Sequence, residues 1–352
     1  MRRITLVFAL LALALPTFSQ QQQPFQEEID VNAVLLDVIV TDAKGHHILG
    51  LGKDDFIVTE NGVEQTIDSV DYFTNRRLLD AREEQAAFRV ERVREDRYFI
   101  FFFDKPTDPA FARDQLTLAR EAVRDFVRND MKPSDLVAIV GHDMRLKIYS
   151  DFTGNKPQLE RALDEATRFG RGITRPPAGE GPSILRNINT KDLINRTGTV
   201  YQGIDLLADS VRNIRARKNL VLFSPGIADR DESVFAGEML SNRSRYLDPM
   251  LESLNAANVA VYGVQLQRDV SPAAVFHQRL SEMAESTGGR YFQINVSFKP
   301  AIEQIENVNS GYYLITYRSK QPRGKSGFQK VDVKLRNPEF KVVTRSGYGL
   351  GG

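Results

Sequence analysis

Tyr98-Phe99-Ile100-Phe101-Phe102-Phe103-Asp104 is a continuous apolar run that ends on a carboxylate, followed by Lys105-Pro106-Thr107-Asp108-Pro109. Bulky apolar residues in succession leave no polar face for water, so the run predicts a strand buried on both faces. Such strands belong to parallel sheets covered by helices, and ligand sites in those sheets lie at the carboxyl ends of the strands. Asp104 stands at that end.

The residues around the run repeat its grammar. Segment 110–129 has apolar residues at helical spacing and stops before Pro133. Strands are expected at 135–141, 146–152, 219–223, 259–264 and 290–294, and helices at 156–169, 199–215, 248–257, 277–286 and 300–308. Strands alternating with helices predict an α/β fold with a doubly wound, mostly parallel sheet. Outside this region the helices drop out. Segments 31–41, 56–59 and 64–73 read as strands, with Asn61-Gly62 as a hairpin turn, and 312–317, 328–335 and 340–344 read as strands again. The expected architecture is an α/β domain inserted in a small β-sandwich formed by N- and C-terminal strands. The expected boundaries are 28–75 for the first sandwich part, 76–96 for a charged linker or helix, 97–309 for the α/β domain and 310–348 for the closing strands.

The N-terminus reads as a leader over 1–19, with Arg2 and Arg3 before an apolar stretch and small residues Thr17 and Ser19 at the cut. A polar tether over 20–27 follows. The expectation is an exported protein, periplasmic or extracellular, with no stable membrane span after cleavage. Loss of two arginines takes the net charge from +1 to −1, which offers nothing to attract a nucleic acid. Cysteine is absent, which excludes disulfides, thiolate metal sites and thiol nucleophiles. The histidines (His46, His47, His142 and His277) lack the spacing of a zinc site. No Gly-x-Ser-x-Gly elbow, phosphate loop or dinucleotide fingerprint occurs, and Pro225 removes the amide that an oxyanion hole would need after Ser224.

Several motifs in order carry a resemblance: Val40-Thr41-Asp42 with Gly45, Asp55-Phe56, Glu60-Asn61-Gly62, Pro133-Ser134-Asp135-Leu136-Val137, Lys218 to Ser224, Ala284 to Gly289 and Gly311-Tyr312-Tyr313-Leu314. Over about 31–348 the chain resembles a von Willebrand factor type A domain protein, and more closely the VWFA-related domain of acidobacterial proteins. That resemblance implies a metal-ion-dependent adhesion site, in which a hard cation takes oxygen ligands from three loops. Here its first position is Asp104, its two serine positions are Pro106 and Asp108, its threonine position is Thr199 with Thr197 as an alternative, and its late aspartate position is Ser224-Pro225. Proline supplies no side-chain oxygen, so the expected site is degenerate, with Asp104, Asp108 and Thr199 as the ligands left for Mg²⁺ or Ca²⁺. The expected function is non-enzymatic binding of a protein partner through loops holding Lys105, Thr107, Arg171, Arg175, Tyr201, Ser224 and Asp229. The alternatives are a metal-assisted hydrolase using Asp104 and Asp108, and an envelope scaffold without a ligand.

Overall fold

The computed structural model describes residues 33–74, 96–105, 109–168, 176, 181–227, 243–266, 274–293, 297–320 and 327–350. The leader, the tether, nearly all of the charged linker, and Pro106, Thr107, Asp108, Arg171, Arg175 and Asp229 lie outside the described residues.

The apolar run forms strand β5 (Arg97–Asp104), in which every residue is buried. It lies at the middle of a six-stranded sheet. β6 (Asp135–His142) pairs with it on one side and β8 (Lys218–Ser224) on the other, both parallel. Beyond β6 lies the antiparallel edge strand β7 (Leu146–Thr153), and beyond β8 lie β9 (Val259–Gln265) and β10 (Arg290–Phe292). The order β10-β9-β8-β5-β6-β7 is the doubly wound order, with its reversal between β5 and β8. Alternate side chains of β5 enter two cores, as the two-residue period of a strand requires. Phe99, Phe101 and Phe103 meet Leu116, Ala119 and Val123 of α1 (Pro109–Asp125), Leu159 and Leu163 of α2 (Lys156–Ala166), and Ile302. Tyr98, Ile100 and Phe102 meet the opposite layer: Leu193 of α3 (Thr190–Asn195), Ile204 and Leu207 of α4 (Val200–Ser210), Met250 and Leu254 of α5 (Asp248–Ala256), and Leu280 of α6 (Ala274–Ser286). Helix α7 (Lys299–Val308) supplies Ile302 and Ile305 to the first layer.

The remaining strands form two four-stranded antiparallel sheets. One has the order β13-β1-β11-β4, built from β1 (Ala33–Thr41), β4 (Ile67–Thr74), β11 (Gly311–Arg318) and β13 (Lys341–Val343). The other has the order β14-β12-β2-β3, built from β2 (Phe56–Glu60), β3 (Val63–Glu64), β12 (Gly327–Leu335) and β14 (Gly347–Leu350). Strands from before and after the α/β region alternate in the first sheet and meet at the β12–β2 pair in the second, and the two sheets share one core of Leu36, Val38, Val58, Tyr313, Ile315, Tyr317 and Val331. Buried Glu60 ties the two sheets together by accepting from Tyr317 Oη (2.8 Å), Ser319 Oγ (2.7 Å) and Tyr348 Oη (3.2 Å). Burial and that carboxylate push the Tyr317 phenol far above its ordinary range. Asn61 and Gly62 take φ of 49° and 82°, the two positive values of a type I′ hairpin.

Two elements differ from the sequence expectation. The strand expected over 64–73 is divided into β3 and β4, and the helix expected over 199–215 stops at Ser210. Ser210 Oγ donates to the Leu207 carbonyl there, and Lys218 reaches back to the Ile214 carbonyl. A serine hydroxyl bonded to a preceding carbonyl competes with helix continuation.

Lys218 opens β8 fully buried. Desolvation holds its ammonium down at about 7, only partly opposed by the Asp37 carboxylate. A base depressed in the folded state contributes stability that is complete above the free lysine value of 10.5 and lost as pH falls towards about 7. Stability should therefore rise from pH 7 to pH 9, by roughly 2 kcal/mol from this group alone. Urea melts of Lys218→Met against wild type at the two pH values check this: the variant should lose that part of the rise.

Candidate functional site

The carboxyl ends of β5 and β8 meet at the point where the strand order reverses, the place where open α/β sheets form a ligand crevice. Asp104 ends β5 and Ser224 ends β8, and Ser224 Oγ donates to Asp104 Oδ2 at 2.6 Å. Ser224 Oγ also accepts the Gly226 amide at 3.1 Å. Pro225 removes the adjacent amide, and the next one turns back onto the hydroxyl. Ser224 is thus engaged as donor and as acceptor, unlike a serine poised for attack.

Register extends this pair into a row. Asp104 is the ladder partner of His142, and Ser224 that of Gln265. Neighbouring strands lie about 4.8 Å apart. His142, Asp104, Ser224 and Gln265 therefore follow one another across β6, β5, β8 and β9, and all four are buried. His142 Nε2 donates to the Thr197 carbonyl at 3.0 Å, and Gln265 Oε1 accepts from Tyr291 Oη at 2.6 Å. Above the row, Tyr201 Oη accepts from Arg279 Nη1 at 2.7 Å. His142, Gln265 and Arg279 were not legible as parts of this site. Only their strand-end or helical positions in a doubly wound sheet could have marked them, and that required the register.

Burial pushes the Asp104 carboxyl up to about 7, with the Ser224 hydrogen bond pulling the other way. A carboxyl raised in the fold contributes stability that is complete below its ordinary 3.8 and lost as pH rises through about 7. Asp104→Asn should accordingly be more stable than wild type at pH 8, by a few kcal/mol, with the gap closing near pH 4. Thermal melts at both pH values check this. A cation held by an ionised Asp104 would reverse the sign at pH 8.

Among the described residues the expected threonine donors are engaged within the fold. Thr199 Oγ1 accepts the Gln202 amide at 3.2 Å as the N-cap of α4, in a reciprocal capping box with the Gln202 side chain. Thr197 Oγ1 accepts the Leu146 amide at 3.0 Å and donates to the Leu193 carbonyl. Among the described residues no group of three or more His, Asp or Glu could hold a metal ion. A hard cation takes oxygen ligands, and here both threonine hydroxyls serve the backbone while burial raises the Asp104 carboxyl.

Three of the residues expected to face a partner point inward instead. Lys105 Nζ donates to Tyr149 Oη (3.1 Å) and to the Arg168 carbonyl (2.7 Å), and burial lowers its ammonium to about 8. Tyr201 and Ser224 are likewise buried. Lys105 follows β5 and Ser224 ends β8, so they continue strands that run under the rim, and Tyr201 lies on the core face of the first turn of α4. The rim itself is made elsewhere. Met144 and Ile194 are 61% and 49% exposed, large apolar side chains in water at the carboxyl end of the sheet. Met144 sits at φ 61° in the β6–β7 turn. The turn and α3 are stitched together by Thr197, through Leu146 and His142 on one side and Leu193 on the other. Arg145 and Arg196 flank them, both exposed.

No family model and no curated protein matches the sequence. Among solved structures, the chain is similar to a mutant of the PilB minor pilin from Streptococcus sanguinis, at 11% identity over 79% of each chain and TM-score 0.40. It is similar to an aerotolerance-related membrane protein from Bacteroides fragilis, at 12% identity over 60% of this chain and 98% of that one, TM-score 0.38. It is also similar to the SpRpn10 VWA domain, at 12% identity over 59% of this chain and 94% of that one, TM-score 0.37. The fold itself rests on the strand order described above.

Proposed function

We propose that the chain is an exported, non-enzymatic interaction module that binds a protein partner at the rim over the carboxyl ends of the sheet, without a metal ion. The observation that supports this best is the contrast between the two levels of the site. The polar row is buried and internally bonded, whereas the rim above it presents Met144 and Ile194 between exposed arginines. Apolar side chains beside arginine are the composition of protein-contact surfaces. Export is supported by the leader-like residues 1–19. Among the described residues no helix is long and apolar enough to cross a membrane. The degenerate adhesion site is supported by the use of Asp104, Thr197 and Thr199 within the fold.

Quantitative cross-linking of the full chain to envelope extract tests the reading. Wild type and Asp104→Ala should enrich the same protein, and a Met144→Asp, Ile194→Asp double variant should lose it by tenfold or more. An identical set captured by all three would overturn the assignment of the rim. Capture by wild type that depends on Mg²⁺ and is absent in Asp104→Ala would overturn the metal-free reading.

A further inference from the structure

The far side of the molecule holds a second recess. Strand β11 follows α7 after two residues, and Thr74 Oγ1 at the end of β4 donates to the Ser310 carbonyl at 3.0 Å, so the sandwich adjoins the end of α7. A cleft of about 780 Å³ lies at this join, between the β1 turn, the start of β10 and the end of α7. Its size falls within the roughly 300–1,000 Å³ of small-ligand sites, which favour domain joins and apolar walls with few polar groups. Its floor is apolar: Ile39, Tyr72, Phe292 and Val343 line it, and Ile39 and Tyr72 are buried. The walls are held together across the join. His47 Nε2 donates to the Asn307 carbonyl at 2.9 Å, and Thr41 pairs with His47 across the turn.

Charge around this floor is one-sided. Lys44, Arg290 and Lys341 reach the cleft from three different elements and are exposed. None of the three has an ion-pair partner among the described residues, although Arg124, Arg128, Arg243 and Lys299 elsewhere on the surface do. Arg290 donates to a neutral oxygen, Gln304 Oε1, at 3.3 Å. The one carboxylate in the lining is Asp42. It accepts the Lys44 amide (2.8 Å), the His46 amide (2.9 Å) and His46 Nδ1 (2.9 Å), so its oxygens are engaged within its own turn and it offsets only part of the three positive charges. Three permanent cations over an apolar floor, with the nearby anion already satisfied, complement a ligand with the opposite pattern.

We propose that this cleft binds a small organic anion: an apolar body on the Ile39, Tyr72, Phe292 and Val343 floor, and a carboxylate or phosphate head between Lys44, Arg290 and Lys341. The site lies apart from the rim at the carboxyl ends and does not depend on the reading given to that rim.

Calorimetric titration of the full chain with octanoate, octyl phosphate and octanol tests this. Both anions should bind at least tenfold more tightly than octanol, and the better of the two identifies the head group. A Lys44→Glu, Lys341→Glu double variant should weaken both anions by tenfold or more and leave octanol unchanged. Both positions are exposed, and a melting temperature equal to wild type confirms that the variant is folded. Should it be unstable, Arg290→Gln serves in its place, with the same selective loss expected. Asp104→Ala should bind the anions as wild type does. Equal affinity for octanol and the anions, unchanged anion binding in the charge variants, or no heat from either anion at millimolar concentration would each overturn the proposal.

Discussion

Gly289→Ala is expected to abolish folding at 37 °C, or to lower stability by more than about 4 kcal/mol in urea melts at lower temperature. A Cβ at this position would lie 1.9 Å from the Val261 carbonyl oxygen and 2.6 Å from the Val261 carbonyl carbon. Both are backbone atoms of β9, held between β8 and β10 by parallel pairing, so neither can swing aside as a flexible side chain would. The contact exists because α6 ends directly on this strand. Gly289 donates its amide to the Ala284 carbonyl at 2.8 Å, and Thr287 Oγ1 accepts the Val261 amide at 2.9 Å. Gly288, one residue earlier, is left-handed at φ 73° and stops the helix. Relieving the overlap would mean lifting α6 from the sheet, and with it Leu280 and Met283 from the core. Gly181→Ala is the control: a Cβ there meets nothing within 4 Å, and its cost should stay below about 0.5 kcal/mol. A Gly289→Ala protein as stable as that control would mean the helix end is not packed as described.

Gly288-Gly289 also shows what a sequence can and cannot disclose. The pair reads as a helix stop, which is a local property and is correct. That the second glycine is needed for contact with a strand 28 residues upstream is tertiary, and no periodicity announces it. The same division runs through the molecule. Period-2 and apolar runs located the strands, and the change of grammar near 97 and 309 separated sandwich from α/β sheet, because burial imposes those patterns residue by residue. Asp104 was legible as a strand-end carboxylate. Its bond to Ser224 was not, since it depends on β5 and β8 being neighbours although their paired residues stand 120 positions apart in the chain. Lys105 and Tyr201 read as loop residues available to a partner, but exposure is a property of the packed rim, and packing turned both inward. Met144 and Ile194, which the rim does expose, look in sequence like ordinary core residues.

Asp135→Ala should lower stability by about 3–5 kcal/mol, the cost of leaving a buried cation without its partner. Arg97 and Asp135 open β5 and β6 and are ladder partners. Arg97 Nε and Nη2 donate to the two Asp135 oxygens, each at 2.7 Å, in a fork that leaves Arg97 8% and Asp135 0% exposed. Asp135 Oδ2 also accepts the Lys132 amide at 2.8 Å, which fixes the turn that leads into β6. Removing the carboxylate strands the guanidinium beneath the sheet with Glu306 as its remaining anion, at 3.3 Å. Glu306 is already shared with Lys132 Nζ at 2.7 Å, and these two cations help hold its carboxyl below the usual range against the opposing pull of burial. It can offset only part of the loss. The physical claim is that the missing partner, and not the ion pair itself, sets the cost, because desolvation consumes most of the attraction in a buried pair. An Arg97→Met, Asp135→Leu double variant should therefore recover more than half of the stability lost in Asp135→Ala. Chemical denaturation of the wild type, Arg97→Met, Asp135→Leu and the double variant gives the full cycle, with Asp135→Ala measured beside it. A double variant no more stable than Asp135→Ala would show instead that the fork is a net source of stability at the start of the central strands.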